Sequence, residues 1–178
     1  MNKFLGIFIL AIFSFSCSSN LDFNQVNNLK LEPVFVANLA SFDVSANQFV
    51  TNGAEQDVFL DVANFDVFKD SFFDKSLKKA ELFFEINNTI NRAYSIDLVL
   101  LDVNDTPLYT IPFNVPAYSG AENLVTKTEI FENNNLVLLK STTKIAFTIT
   151  MLTGPPLSES SLGSLKMRSS ATVYLVVR

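Results

Sequence analysis

The sequence predicts an all-β domain: an antiparallel two-sheet, immunoglobulin-like sandwich with one or two short helices. Three observations predict it. Apolar and polar residues alternate with a period of two along several runs. Asn, Asp, Gly and Pro punctuate the chain between those runs. Only two stretches carry a helical spacing, too little for a layer of helices.

In chain order, the first candidate strands are 30–37, 40–45 and 56–63. Residues 66–79 read as a helix, with Val67, Phe68, Phe72 and Leu77 at loosely helical spacing. Asp66, Asp70 and Asp74 recur every four residues, and Lys75, Lys78 and Lys79 close the stretch; acid first and base last suits the helix dipole. Over 82–88, Leu82, Phe84 and Ile86 oppose Glu81, Phe83 and Glu85. A turn at Asn87–Arg92 leads to 94–101, where Tyr94, Ile96, Leu98 and Leu100 share a face. Asp102-Val103-Asn104-Asp105-Thr106-Pro107 reads as a hairpin loop into a strand at 107–115. Residues 133–141 suit a second short helix. In 144–151, Ile145, Phe147, Ile149 and Met151 align, and Gly154-Pro155-Pro156 then breaks the chain. In 165–177, Leu165, Met167, Ala171, Val173, Leu175 and Val177 share the last apolar face.

The N-terminus carries a different signal. Lys3 precedes an apolar run from Phe4 to Phe13, and Ser14 and Ser16 flank Phe15 just before Cys17. This is the layout of a secretory signal peptide, and the run is about half the ~20 apolar residues that span a bilayer. The expected division is therefore 1–16 as signal peptide, 17–28 as Cys17 and a flexible tether, and 29–178 as the sandwich. Asn20, Asn24, Asn27 and Asn28 favour tether over helix.

The segment Ser14-Phe15-Ser16-Cys17-Ser18-Ser19 resembles a lipobox, the cleavage site of bacterial lipoproteins. It departs from the commonest pattern, with Ser14 where Leu is usual and a bulky Phe15. The resemblance implies that Cys17 takes a diacylglycerol on sulfur and that the peptide is cut before it. A bare Cys17 in an ordinary signal-peptide flank is the bland alternative. Ser18 in place of Asp leans toward the outer membrane, with periplasmic and surface faces both open. The layout of 79–115 is similar to small sandwiches of the fibronectin III or plant desiccation-protein type, and the whole chain resembles uncharacterised flavobacterial lipoproteins, a likeness that implies no activity.

Composition excludes several functions. The chain carries a formal charge of −5; Lys3 is the only charge in 1–16, so losing that leader leaves −6. Such a chain repels nucleic acid, and attachment to anionic lipid needs an anchor rather than a basic patch. There is no His, so the commonest general base and metal ligand are missing, and one Cys makes no internal disulfide. No cofactor is expected. The five Gly form no phosphate loop, and no Ser sits in Gly-x-Ser-x-Gly.

Some constellations still have two readings. Asp102, Asn104 and Asp105 are a weak Ca²⁺ candidate, since a loop can wrap an ion, but hairpin turns prefer these same residues. Asp66, Asp70 and Asp74 form either an acidic stripe or a solvated helix face. Glu81 and Glu85 share a strand face, as a glycosidase pair could, but read first as acids pointing to water, and the chain has no Trp to line a sugar cleft. Ser141 and Lys144 are a formal Ser-Lys dyad. Fourteen of the 18 Phe lie beyond the leader, with Phe59, Phe65, Phe68, Phe72 and Phe73 close together; they build either a core or an apolar surface. The expectation is a non-enzymatic envelope lipoprotein, held to the membrane by lipid, that binds an envelope protein or glycan or serves structurally. A carboxylate-based hydrolase acting on glycans and a carrier of a small apolar ligand are the alternatives.

Overall fold

Alternation produces strands as expected. In the computed structural model, which describes residues 30–62 (the backbone alone over 59–62), 65, 68 and 70–177, ten strands and two short helices follow one another. They are β1 (Val34–Ser45), β2 (Val50–Thr51), β3 (Ala54–Glu55), β4 (Val58–Val62), α1 (Ser71–Ser76), β5 (Leu77–Asn88), β6 (Tyr94–Leu101), β7 (Pro107–Val115), β8 (Leu124–Glu132), α2 (Leu136–Ser141), β9 (Lys144–Met151) and β10 (Ser164–Leu175). Short 3-10 turns precede β2 and α2. Cys17, the leader and the tether lie outside the described residues, as do Asp66 and the side chain of Phe59. No helix among the described residues is long and apolar enough to cross a membrane.

Eight strands form two antiparallel four-stranded sheets, ordered β1-β10-β5-β8 and β4-β9-β6-β7; β2 and β3 make a separate hairpin. Four of the pairings are nested: β1 with β10, β4 with β9, β5 with β8, β6 with β7. Val34 faces Tyr174, Val58 faces Ile149, Lys79 faces Glu132 and Tyr94 faces Val115, so the midpoint of every pairing falls inside the loop 102–106. The chain is thus one long antiparallel ribbon, folded at that loop and rolled up. Pairing of β10 with β5 and of β6 with β9 closes the roll. This is jelly-roll wiring. The expected all-β two-sheet sandwich stands, with a strand order different from the immunoglobulin sheets.

The alternating faces meet between the sheets. Leu82, Phe84 and Ile86 of β5 and Ile96, Leu98 and Leu100 of β6 are fully buried, as are Ile145, Phe147 and Ile149 of β9. Rings bridge the layers: Phe42 of β1 meets Phe147 at 5.5 Å, and Phe84 meets Phe113 of β7 at 5.4 Å, both edge to face. Each such ring, removed from water, contributes about 2–3 kcal/mol.

Besides the short β2–β3 hairpin, which was not expected, three elements differ from expectation. The helix expected over 66–79 is only Ser71–Ser76, capped by Asp70 Oδ1, which accepts from Phe72 N at 2.9 Å. Residues 77–79 already belong to β5. A register shift opposite Tyr174 and Leu175 leaves Lys78 as an extra residue, so Leu77 and Ala80 both point inward three residues apart, which imitates a helix. Strands expected at 30–37 and 40–45 are one strand, β1, interrupted by a bulge between Asn38 and Ser41. Ser169 pins that bulge: its Oγ accepts from Ala40 N and donates to Ala40 O, at 3.0 and 2.7 Å. The third difference is β8, for which no strand was expected.

The sandwich has two dissimilar ends. Val34, Lys79, Glu132 and Tyr174 mark the end of one sheet, and Leu101, Pro107 and Lys144 mark the matching end of the other. Both helices and the hairpin 102–106 lie here, at the proximal end. At the distal end four connections cross: 46–57, 89–93, 116–123 and 152–163.

Candidate functional site

The outward face of the β1-β10-β5-β8 sheet carries the most concentrated polar chemistry. Register sets it in rows: Asp43, Lys166, Asn87 and Leu124 lie across the four strands, and Ser41, Arg168, Glu85 and Thr126 form the next row. Their inward neighbours, Val44, Leu165, Met167 and Ile86, are core residues, so the pleat forces these groups outward. All of them but Thr126 line an open groove of about 730 Å³, together with Glu122. Lys166 Nζ pairs with Asp43 at 2.9 Å, and Arg168 Nε pairs with Glu85 at 2.5 Å. Arg168 is 77% exposed against 18% for Glu85, so the carboxylate is an inner prop and the guanidinium stands over it. The hydrogen bond to Glu85 makes Arg168 still more basic than usual. The groove thus offers charged and amide donors beside acceptors, the equipment for binding a polar ligand.

Glu81 and Glu85 do share this face. Four residues of strand separate them by about 13 Å, beyond the ~9.5 Å upper limit for glycoside cleavage. Glu81 is paired with Lys79 at 2.6 Å, and that hydrogen bond lowers its carboxyl below the ordinary range, the opposite of a general acid's need. Asp43 and Glu85 lie two strands and one row apart, about 12 Å, which is also too far.

The hairpin loop performs turn chemistry. Asp102 Oδ1 accepts from Asn104 N at 2.7 Å and from Thr106 N at 2.8 Å. These backbone donors, Thr106 first, hold the Asp102 carboxyl below its usual range. Asp105 takes φ 60° and pairs with Lys144 at 2.6 Å. Among the described residues, no three acidic or Cys side chains converge into a metal-holding group. Lys144, held by Asp105, is not free to serve Ser141 as a base. Of the acidic stripe, Asp70 caps α1 and Asp74 pairs with Lys140 at 3.4 Å.

Most of the described Phe rings serve the interior. Phe65 and Phe68 are buried and meet at 5.3 Å; Phe73 packs on Phe68 at 6.2 Å, while Phe72 stays exposed. The groove residues Asp43, Asn87, Glu122, Lys166 and Arg168 were not singled out by sequence reasoning. They belong to three strands and one loop, and only register brings them together.

No protein-family model matches the chain, and no curated protein does. Solved structures with a similar fold exist at low identity. The subviral-particle protein VP2 of infectious bursal disease virus is 14% identical over 80% of this chain, with a TM-score of 0.46, and the chain spans only 32% of it. A protein from Parabacteroides distasonis described as secreted is 14% identical over 65% of this chain and 36% of its own length, with a TM-score of 0.45. Desmodium yellow mottle tymovirus protein is 12% identical over 83% of this chain and 90% of its own, with a TM-score of 0.36.

Proposed function

We propose that this protein is a lipid-anchored, non-catalytic binding module of the bacterial cell envelope, and that its ligand, an envelope protein or glycan, docks in the groove between Asp43 and Arg168. The anchor half of the proposal rests on Cys17, placed just after an apolar run and small flanking residues. Acyl chains at that sulfur hold an acidic domain to a membrane it would otherwise leave. The address is the envelope, with the outer membrane favoured by Ser18.

One observation carries the binding half. Two of the three groove acids, Asp43 and Glu85, are each spent on a base of the same face. Ion pairs that lie open on a sheet suit reversible contact better than proton transfer. The carrier reading needs an empty Phe-lined interior, whereas the rings of Phe42, Phe84, Phe113 and Phe147 fill theirs against one another. Two measurements test the proposal. Intact mass of the natively produced protein is expected to show a diacylated chain beginning at Cys17; a bare thiol sinks the anchor. Cross-linking in native membranes is expected to yield a partner that the double variant Lys166→Glu, Arg168→Glu loses; an unchanged partner moves the binding site elsewhere.

A further inference from the structure

Exposed apolar side chains are not spread evenly over the domain. Leu162, the most exposed at 88%, lies with Leu124 and Leu152 at the distal end, but seven of the twelve large exposed apolar side chains among the described residues lie at the proximal end, among them Val34, Phe35 and Val36 of β1, Phe72 of α1, Val103 at the hairpin tip and Val137 of α2. The largest exposures among them are 70% for Val36, 67% for Val103 and 62% for Val137. Nothing local requires them there: a hairpin tip and the outer face of a short helix are ordinary places for polar residues. Among the described residues β1 is an edge strand paired with β10 alone, and its first half carries neither the Lys nor the Pro that commonly guards such an edge.

The chain reaches the sandwich at this same end. Fourteen residues separate Cys17 from Glu32, a link that spans at most about 50 Å. An anchored bilayer is therefore held close to the proximal end, at high effective concentration, and even weak apolar contacts become occupied. From this we infer that the proximal end is a membrane-resting face: Val34, Val36, Val103 and Val137 settle into the lipid headgroup boundary, and the domain stands on the bilayer with its distal end outward. The inference rests on the anchor proposed above and adds an orientation to it. The occupant is a lipid surface because the chain's only route to its anchor leaves from this patch. The contact is apolar, so it persists on uncharged phosphatidylcholine and in high salt, unlike a basic patch.

Cys17 is the only Cys, so once it is acylated an introduced Cys is the one free thiol. The full lipoprotein carrying Val36→Cys, Val103→Cys or, at the distal end, Ser160→Cys is labelled with a fluorophore and placed in phosphatidylcholine vesicles containing a brominated lipid. Quenching at positions 36 and 103 is expected to exceed that at 160 at least three-fold and to be unchanged by salt. With Cys17 shown by mass to be acylated, equal quenching at all three positions overturns the orientation and leaves the anchor standing. If the unlabelled Val36→Cys lipoprotein is oxidised by dissolved oxygen to a disulfide-linked dimer through position 36, and the labelled one shows its probe in water, the patch belongs to a second copy and the lipid reading of it is overturned. A bare thiol at Cys17 removes anchor and orientation together.

Discussion

The two ends of the sandwich are built on different chemistry. At the distal end, buried polar side chains tie the crossing connections to one another. Asn88, fully buried, donates to Arg92 O and to Pro116 O at 2.8 Å each and accepts from Ile90 N at 2.9 Å. Arg92, 7% exposed, donates to Gly154 O and Pro155 O at 2.9 and 2.6 Å and pairs with Glu55 at 3.0 Å. Glu55 in turn accepts from Leu157 N at 2.6 Å. Two side chains thereby connect all four distal connections. At the proximal end the polar side chains bond mostly within their own turns, the buried Thr142 to Leu138 O and Asp70 and Asp102 to backbone amides, and the ties between segments are chiefly the solvent-facing ion pairs Lys140 with Asp74 and Lys144 with Asp105, beside exposed valines. Exposed pairs of this kind contribute little, whereas a buried and satisfied network fixes one arrangement. Polar side chains fix the arrangement of the connections at the distal end, whereas at the proximal end Phe68, Leu136 and Leu139 pack into the core beneath apolar side chains that stay exposed.

Substitutions at the two ends should separate them by size of effect. The largest is Gly163→Ala. Gly163 adopts φ +100°, and a Cβ there would meet Thr89 O at 2.5 Å. Backbone strain and a clash with a carbonyl that cannot retreat combine to cost about 3 kcal/mol or more. Denaturant unfolding checks this; an unchanged midpoint would show that the distal turn is loose and remove the contrast. Next is Asn88→Ala, which abandons two buried carbonyls and one amide. A loss of about 3 kcal/mol is expected in the same assay.

The difference between the ends also explains what could be read from the sequence. Strands β5, β6, β9 and β10 were legible because each inward face is mostly apolar, interrupted only by Ser169 in β10 and Asn88 at the end of β5; Tyr94, Ile96, Leu98 and Leu100 leave no ambiguity. β8 was not legible, because its inward positions include Lys127 and Glu129. Those charges sit at the seam where β8 turns over β7, with Lys127 5.5 Å from the Phe113 ring and Glu129 accepting from Tyr109 OH at 2.5 Å. Inward charges on an edge strand also discourage pairing with other chains. They protect the edge and conceal the strand together. The Asn52-Gly53 turn of the β2–β3 hairpin, with φ 54° and 75°, was a readable signal that went unused. The groove was not readable, because residues distant in sequence meet only through register. Arg92 could be placed in a turn, but nothing local marks it as a buried clamp.

Tyr94→Phe probes the distal network more finely. The ring is fully buried against Phe49 at 4.8 Å, and its hydroxyl has no hydrogen-bond partner. Burial drives its pKa well above the ordinary phenol value. Removing an oxygen that forms no bond is expected to leave stability unchanged or raise it by about 1 kcal/mol. A loss above that size in thermal unfolding would reveal a bridging water between this hydroxyl and Arg92 Nε, which is likewise buried and without a partner among the described residues.

At the proximal end, effects should be small and depend on conditions. Asp102 is the exception that titrates. Its folded pKa is depressed by the amides it caps, so its contribution is present above the unfolded carboxylate value, about 4, and is lost as pH falls through the folded value. Asp102→Asn is expected to flatten that acid limb of the stability profile while the wild type keeps it. An identical limb in both proteins would assign it to other carboxylates, such as Glu81, whose pKa is also lowered.

The smallest effect belongs to the exposed apolar residues themselves. Val36→Thr keeps the β-branched shape that suits a strand and changes only a methyl that already faces water. Val137→Gln keeps the helix propensity of α2. Each is expected to move the unfolding free energy by less than about 0.5 kcal/mol. A larger loss in either would mean that the proximal end is held by these side chains after all, as the distal end is held by Asn88. The exposed valines would then be structural, and the division of labour between the two ends would fail where it is easiest to measure.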